Sequence, residues 1–137
     1  MLENQKVNIK TKLAALWTSL MFCYVYGDYF EFYTPGKMDS LISGNSMLDS
    51  PTKLFSASIV LAIPALMIAL SVLLKPSISK WLNIILGILY TAMMIFIAVN
   101  SFSPWQAFYA FYAILESLIT LTIVYYAWKW HKSSEVY

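Results

Sequence analysis

The chain has 137 residues, of which 60% are hydrophobic and 12% charged, with a formal net charge of +2. That charged fraction is about half of what a soluble domain carries, which argues against a water-soluble enzyme and for an integral membrane protein. The positive balance is small and gives a nucleic-acid partner no support.

The first predicted span covers about residues 13–33. Lys6, Lys10 and Lys12 precede its apolar run, as they would in a signal peptide, but bulky GDYFEFY stands where a small-residue cleavage site should be, so the segment is retained as a helix. Cys23 lies within it, the sole cysteine; it has no intrachain partner and is expected as a small buried apolar side chain. The span ends on YGDYFEFY, which places Asp28 and Glu31 near or inside the bilayer.

A connection of about twenty residues follows. Met38, Leu41 and Ile42 stand at helical spacing ahead of Gly44, the pattern of a short amphipathic interfacial helix. Two readings stay open: the loop caps the outer mouth of the helices, or it lies as a tether on the lipid headgroups.

Three further spans, about 54–74, 81–100 and 105–129, are each long enough at about 1.5 Å per residue to cross about 30 Å of hydrocarbon. Ser50-Pro51 and Ser103-Pro104 read as helix starts, each a hydroxyl cap followed by proline at the first helical position. KPSISK and NSFSP are connections too short for anything but antiparallel neighbours. Pro64, inside VLAIPALMIAL, removes one backbone hydrogen bond and exposes a carbonyl near residue 60. The tryptophans and Tyr125-Tyr126 cluster near the expected interfaces as ordinary anchors, and His131 is a lone interfacial histidine.

The expected architecture is all-α: one domain over 1–137, a membrane-spanning four-helix bundle with one longer outer loop. Lys6, Lys10, Lys12, Lys75, Lys80, Lys129 and Lys132 fall on one side and only Lys37 and Lys53 on the other. By the positive-inside rule both termini are cytoplasmic, in a multi-pass protein of the bacterial inner membrane.

A charge at mid-bilayer costs roughly 2.5–3.5 kcal/mol, so such residues face the interior or water. Glu116, eleven residues beyond Trp105, is about 16 Å deep, at the midplane. Asp28 is about 8 Å deep, with Glu31 at headgroup level. Helical spacing continues the Asp28 face through Tyr24, Met21 and Trp17, gives the Glu116 face Tyr109, Tyr112 and Thr120, and sets Asn83, Gly87, Tyr90 and Asn100 on a stripe of the third span. The candidate ligand-binding residues are Glu116, Asp28, Tyr24, Tyr90, Tyr112 and Tyr109. Glu116 is expected to meet a hydroxyl, that of Tyr24 or Tyr90, and not to touch Asp28. The competing reading makes these seams packing devices, interhelical hydrogen bonds worth around 0.6 kcal/mol each.

No HExxH, Gly-rich phosphate loop or Cys/His cluster is present, and the seam offers no histidine for serine hydrolase chemistry. No metal, cofactor or catalytic residue is expected. LW near the start of the first span, YVYGD, the Ile63-Pro64 pair, KWLNIILG and FYAILESLITLTIVYYAWKW together resemble a family of small bacterial four-span membrane proteins classed as a domain of unknown function. The resemblance covers nearly the whole chain and implies fold, membrane location and prokaryotic origin, with no activity attached. Family members often carry Glu-Ile-Pro where this chain has Ala62-Ile63-Pro64, so a mechanism built on that glutamate would be missing here.

The leading functional expectation is a bundle that binds a small amphipathic or cationic molecule, or moves it with protons, with membrane lipid as its surroundings. Second comes a structural or accessory subunit in a homo- or hetero-oligomer, and third an intramembrane isomerase with Glu116 as general acid.

Overall fold

The structure is a computed structural model that describes residues 1–131. Lys132, counted above in the charge asymmetry, lies outside the described residues. Among the described residues the chain is all-helical: α1 (Ile9–Glu31), α2 (Lys37–Ile42), α3 (Pro51–Leu73), α4 (Pro76–Val99) and α5 (Ala107–Trp128), with a 3₁₀ turn at Pro104–Gln106.

Local chemistry sets the helix ends. The Asn8 side chain accepts from the Lys10 N–H at 2.9 Å ahead of α1, and Ser50 accepts from the Lys53 N–H at 3.2 Å with Pro51 opening α3. Helix α2 sits between two glycines with positive φ, Gly36 at 79° and Gly44 at 77°, which end the flanking turns as β-carbon-bearing residues rarely can. Its six residues include none that is buried, in keeping with an interfacial helix.

Two expected boundaries are corrected. KPSISK is not a connection: Pro76 takes the first position of α4, so only Leu74 and Lys75 lie between α3 and α4. No serine precedes Pro76, which is why the start was missed. Ser103-Pro104 opens the 3₁₀ turn without a side-chain cap, and α5 proper begins at Ala107.

Helix α1 packs against both α3 and α5, α5 packs along α4, and α3 meets α4 only sparsely. The α4–α5 approach is close at Gly87, where a β-carbon would stand 2.6 Å from Val124 Cγ2. Lysines tie the helices together at one end. Lys10 Nζ donates to the Leu74 carbonyl at the end of α3 (2.8 Å), and Lys80 Nζ to the Trp130 carbonyl beyond α5 (2.9 Å), satisfying groups that a helix C-terminus leaves without partners. Lys12 lies over the Tyr126 ring and Lys129 over the Tyr125 ring.

The half of the molecule next to this lysine-rich end holds the packed core, in which Leu13, Trp17, Leu20, Met67, Ile123 and Ala127 are fully or almost fully buried. Three helices, α3, α4 and the stretch Pro104–Trp128, are long and apolar enough to cross a membrane, which makes this a membrane protein. Helix α1 is as long as α3, 23 residues each, but carries Lys10, Lys12, Asp28 and Glu31.

Candidate functional site

The polar seam divides into two halves of different character. Toward the lysine-rich end the buried side-chain polar groups of the seam are all matched among the described residues. Trp17 Nε1 donates to Asn83 Oδ1 at 2.7 Å, the Asn83 amide donates to the Ser79 carbonyl at 2.7 Å, and Ser79 Oγ donates to the Ser71 carbonyl at 3.2 Å. Asn83, Ser71 and Ser79 have no exposed surface. One step further along, Thr91 and Thr120 hydroxyls meet at 2.6 Å. Asn83 and Thr120 thus spend their polar groups on other helices and on their own, as interhelical packing bonds do.

The other half is hollow. A cavity of about 400 Å³ opens between the helices, within the range of small-molecule sites. Its wall brings together all six residues singled out from the sequence: Tyr24 and Asp28 from α1, Tyr90 from α4, and Tyr109, Tyr112 and Glu116 from α5. Helical spacing on each element aims them at one axis, and the β-carbon position of Gly27 lies 4.0 Å from Tyr112 Cβ, so Asp28 and Tyr112 stand level as expected. Asp28 and Glu116 share the wall without bonding to each other.

The floor is where the pairing differs from expectation. Glu116 is 5% exposed, yet among the described residues its carboxylate takes part in no hydrogen bond or ion pair. Tyr90 is not its partner, because the Tyr90 hydroxyl donates to the Val60 carbonyl. That carbonyl is the one Pro64 frees, four residues further along a helix whose proline has no N–H to return. A released backbone acceptor claimed the phenol. Tyr24 is not the partner either: its hydroxyl is buried with no hydrogen-bond partner among the described residues. Asn100 leaves the seam, since ten residues beyond Tyr90 lie about 80° off the face; it is exposed at the end of α4, with its amide on the Phe96 carbonyl.

Other lining residues were missed. Lys37, Met47 and Leu48 of the α1–α3 connection also line the cavity, with Met47 88% and Leu48 46% exposed at its rim. Lys37 Nζ pairs with Glu31 at 3.2 Å there. Ala57, Val60 and Leu61 of α3 and Met93, Met94 and Ile97 of α4 supply the apolar side. Met47 and Leu48 stand in a stretch without helical periodicity, so nothing in the sequence pointed them inward. Cys23 is half-buried and lies outside the cavity wall. Among the described residues no three His, Cys, Asp or Glu side chains are grouped to hold a metal ion.

Residues 2–136 match the profile described as Family of unknown function (DUF6326). The chain belongs to that family. No curated protein and no solved structure matches it. A family of this description assigns no activity, so function has to be argued from the cavity.

Proposed function

We propose that this DUF6326 member is a four-helix membrane bundle, with α1 as the fourth span, whose cavity binds a small amphipathic cation entering from the outer side. The reading of α1 rests on Lys10 reaching the end of α3, on Leu13, Trp17 and Leu20 being fully buried, and on Phe22 and Val25 presenting exposed apolar surface on its far side. Four passes put both termini on the lysine-rich, cytoplasmic side of a bacterial inner membrane.

One observation carries the ligand reading. The floor of the cavity carries the buried Tyr24 phenol and the carboxylate of Glu116, a residue 5% exposed, neither with a hydrogen-bond partner among the described residues. Buried polar groups are nearly always satisfied, and a pair left without partners beside a cavity is suited to a ligand or water that completes it. Charge selects the sign. Of the three carboxylates in the wall, Glu31 is paired with Lys37, while Asp28 and Glu116 remain to attract a cation. Tyrosine rings beside them offer cation–π faces, and the α3 and α4 side chains take an apolar body. A cation held against the Glu116 carboxylate and a proton on that carboxyl exclude each other, which couples binding to protons.

The test is titration of the purified protein with a fluorescent lipophilic cation across a pH series. Glu116→Gln is expected to weaken binding at least tenfold and abolish its pH dependence while the protein stays folded, and Asp28→Asn to weaken it less. Equal affinity in Glu116→Gln and the parent would reject the reading.

A further inference from the structure

A second concavity lies at the lysine-rich end, separated from the first by the packed core. It encloses about 680 Å³ between the α3–α4 connection, the first turns of α4 and the chain beyond α5. Its wall carries Lys75, Lys80 and His131, with Trp81 and Trp130 beside them. Lys80 spends one N–H on the Trp130 carbonyl at 2.9 Å, which fixes its ammonium at the rim and leaves two further donors. The first turn of α4, opened by Pro76, has no side-chain cap and adds a partial positive charge. Among the described residues no carboxylate lines it.

The surface leading away from this groove is apolar. Ile78, Trp81, Ile85 and Ile88 follow one another at spacings of three, four and three along a single face of α4, and each is about half exposed. A cationic groove at an interface, edged by an exposed tryptophan and continued by an apolar track into the membrane, has the two-part shape of a phospholipid. We infer that this groove holds the phosphate headgroup of an anionic phospholipid, with the acyl chain along the Ile78–Ile88 face. A free phosphate would use the lysines but would have no use for the track.

Native mass spectrometry of the full chain, purified in mild detergent, reads this directly with phosphatidylglycerol, phosphatidylcholine and inorganic phosphate as separate probes. Phosphatidylglycerol should be retained more strongly than phosphatidylcholine. Lys75→Gln should weaken its retention about fivefold, the effect of about one surface cation. Lys75 makes no side-chain hydrogen bond among the described residues, so this variant keeps the fold. Lys53→Gln, at the opposite end of the molecule, should change nothing. Equal retention of the two lipids, or undiminished retention in Lys75→Gln, would overturn the site. Stabilisation by inorganic phosphate alone, matching that of the lipid, would overturn the lipid assignment in favour of a soluble phosphate.

Discussion

Tyr90 and Pro64 form a linked pair that stability measurements can resolve. Pro64 leaves the Val60 carbonyl without its helical donor, and the Tyr90 hydroxyl from α4 fills the vacancy. Tyr90→Phe removes the hydroxyl and keeps the ring, which is 2% exposed and packs edge-on against Trp17 at 6.3 Å. The loss is therefore confined to one hydrogen bond and the carbonyl stranded by its removal, about 1–3 kcal/mol. Pro64→Ala restores an N–H at position 64, so the Val60 carbonyl regains an intrahelical donor. In that background Tyr90→Phe should cost under about 0.5 kcal/mol, giving a coupling of about 1–2 kcal/mol, well outside the additivity of unconnected sites. Reversible unfolding of the four proteins in mixed micelles supplies the cycle. Pro64→Ala alone empties part of a buried site and has its own cost, which cancels in the double difference. If Tyr90→Phe were equally harmful with and without Pro64, the vacated carbonyl would not be what Tyr90 serves, and the account of why Glu116 lacks a partner would fail with it.

Asn83→Leu strands the Trp17 indole N–H and loosens the Ser71–Ser79 contacts, so unfolding in micelles should show a loss of about 2–3 kcal/mol, whereas Glu116→Gln should stay within about 1 kcal/mol of the parent. Gly87→Leu forces a side chain into a space where even a β-carbon stands 2.6 Å from Val124; it should prevent a folded monomer in size-exclusion chromatography, while Ser58→Leu on the exposed side of α3 should not. Reporter fusions active only in the cytoplasm should be active at both termini, and activity at only one of them would break the four-pass reading.

The sequence made the helices legible because apolar runs of bilayer length and serine–proline or glycine punctuation are local signals. It misplaced the start of α4 because Pro76 acts without a capping hydroxyl. Side-chain periodicity also sufficed to gather Asp28, Tyr24, Tyr109, Tyr112, Tyr90 and Glu116, since each lines the cavity from its own helix, Asp28 as an exposed residue. Partners were not legible. Whether Tyr90 bonds to Glu116 or to a backbone carbonyl depends on how α3 and α4 are set against each other, and the carbonyl that Pro64 releases does not by itself name the phenol that answers it. Met47 and Leu48 were not legible for a similar reason: a loop reaches the rim of a cavity by the path of its backbone, which no periodic pattern encodes.

Lys37 offers the sharpest discrimination of what the cavity takes. Among the described residues it is the sole cation in the lining, which has three carboxylates, and its 3.2 Å pair with Glu31 leaves both side chains about a quarter exposed at the mouth. A pair so placed adds little to stability, under about 1 kcal/mol, so Lys37→Ala should melt close to the parent. Its effect on a ligand is another matter. A unit charge roughly 10 Å away in surroundings of effective dielectric about 30 contributes about 1 kcal/mol, or about fivefold in affinity. Removing Lys37 frees Glu31 and takes away a repulsive charge, so a lipophilic cation should bind about fivefold more tightly to Lys37→Ala, with the gain shrinking as salt is raised. A cavity built for an anion would behave in the opposite sense, because Lys37 would then be the residue that holds the ligand and its loss would abolish binding. A neutral ligand would be indifferent. Titrating the parent and Lys37→Ala with one cationic and one anionic dye of similar size therefore separates the three cases by the sign of a single change, and a weaker cation affinity in Lys37→Ala would refute the assignment of charge to this site.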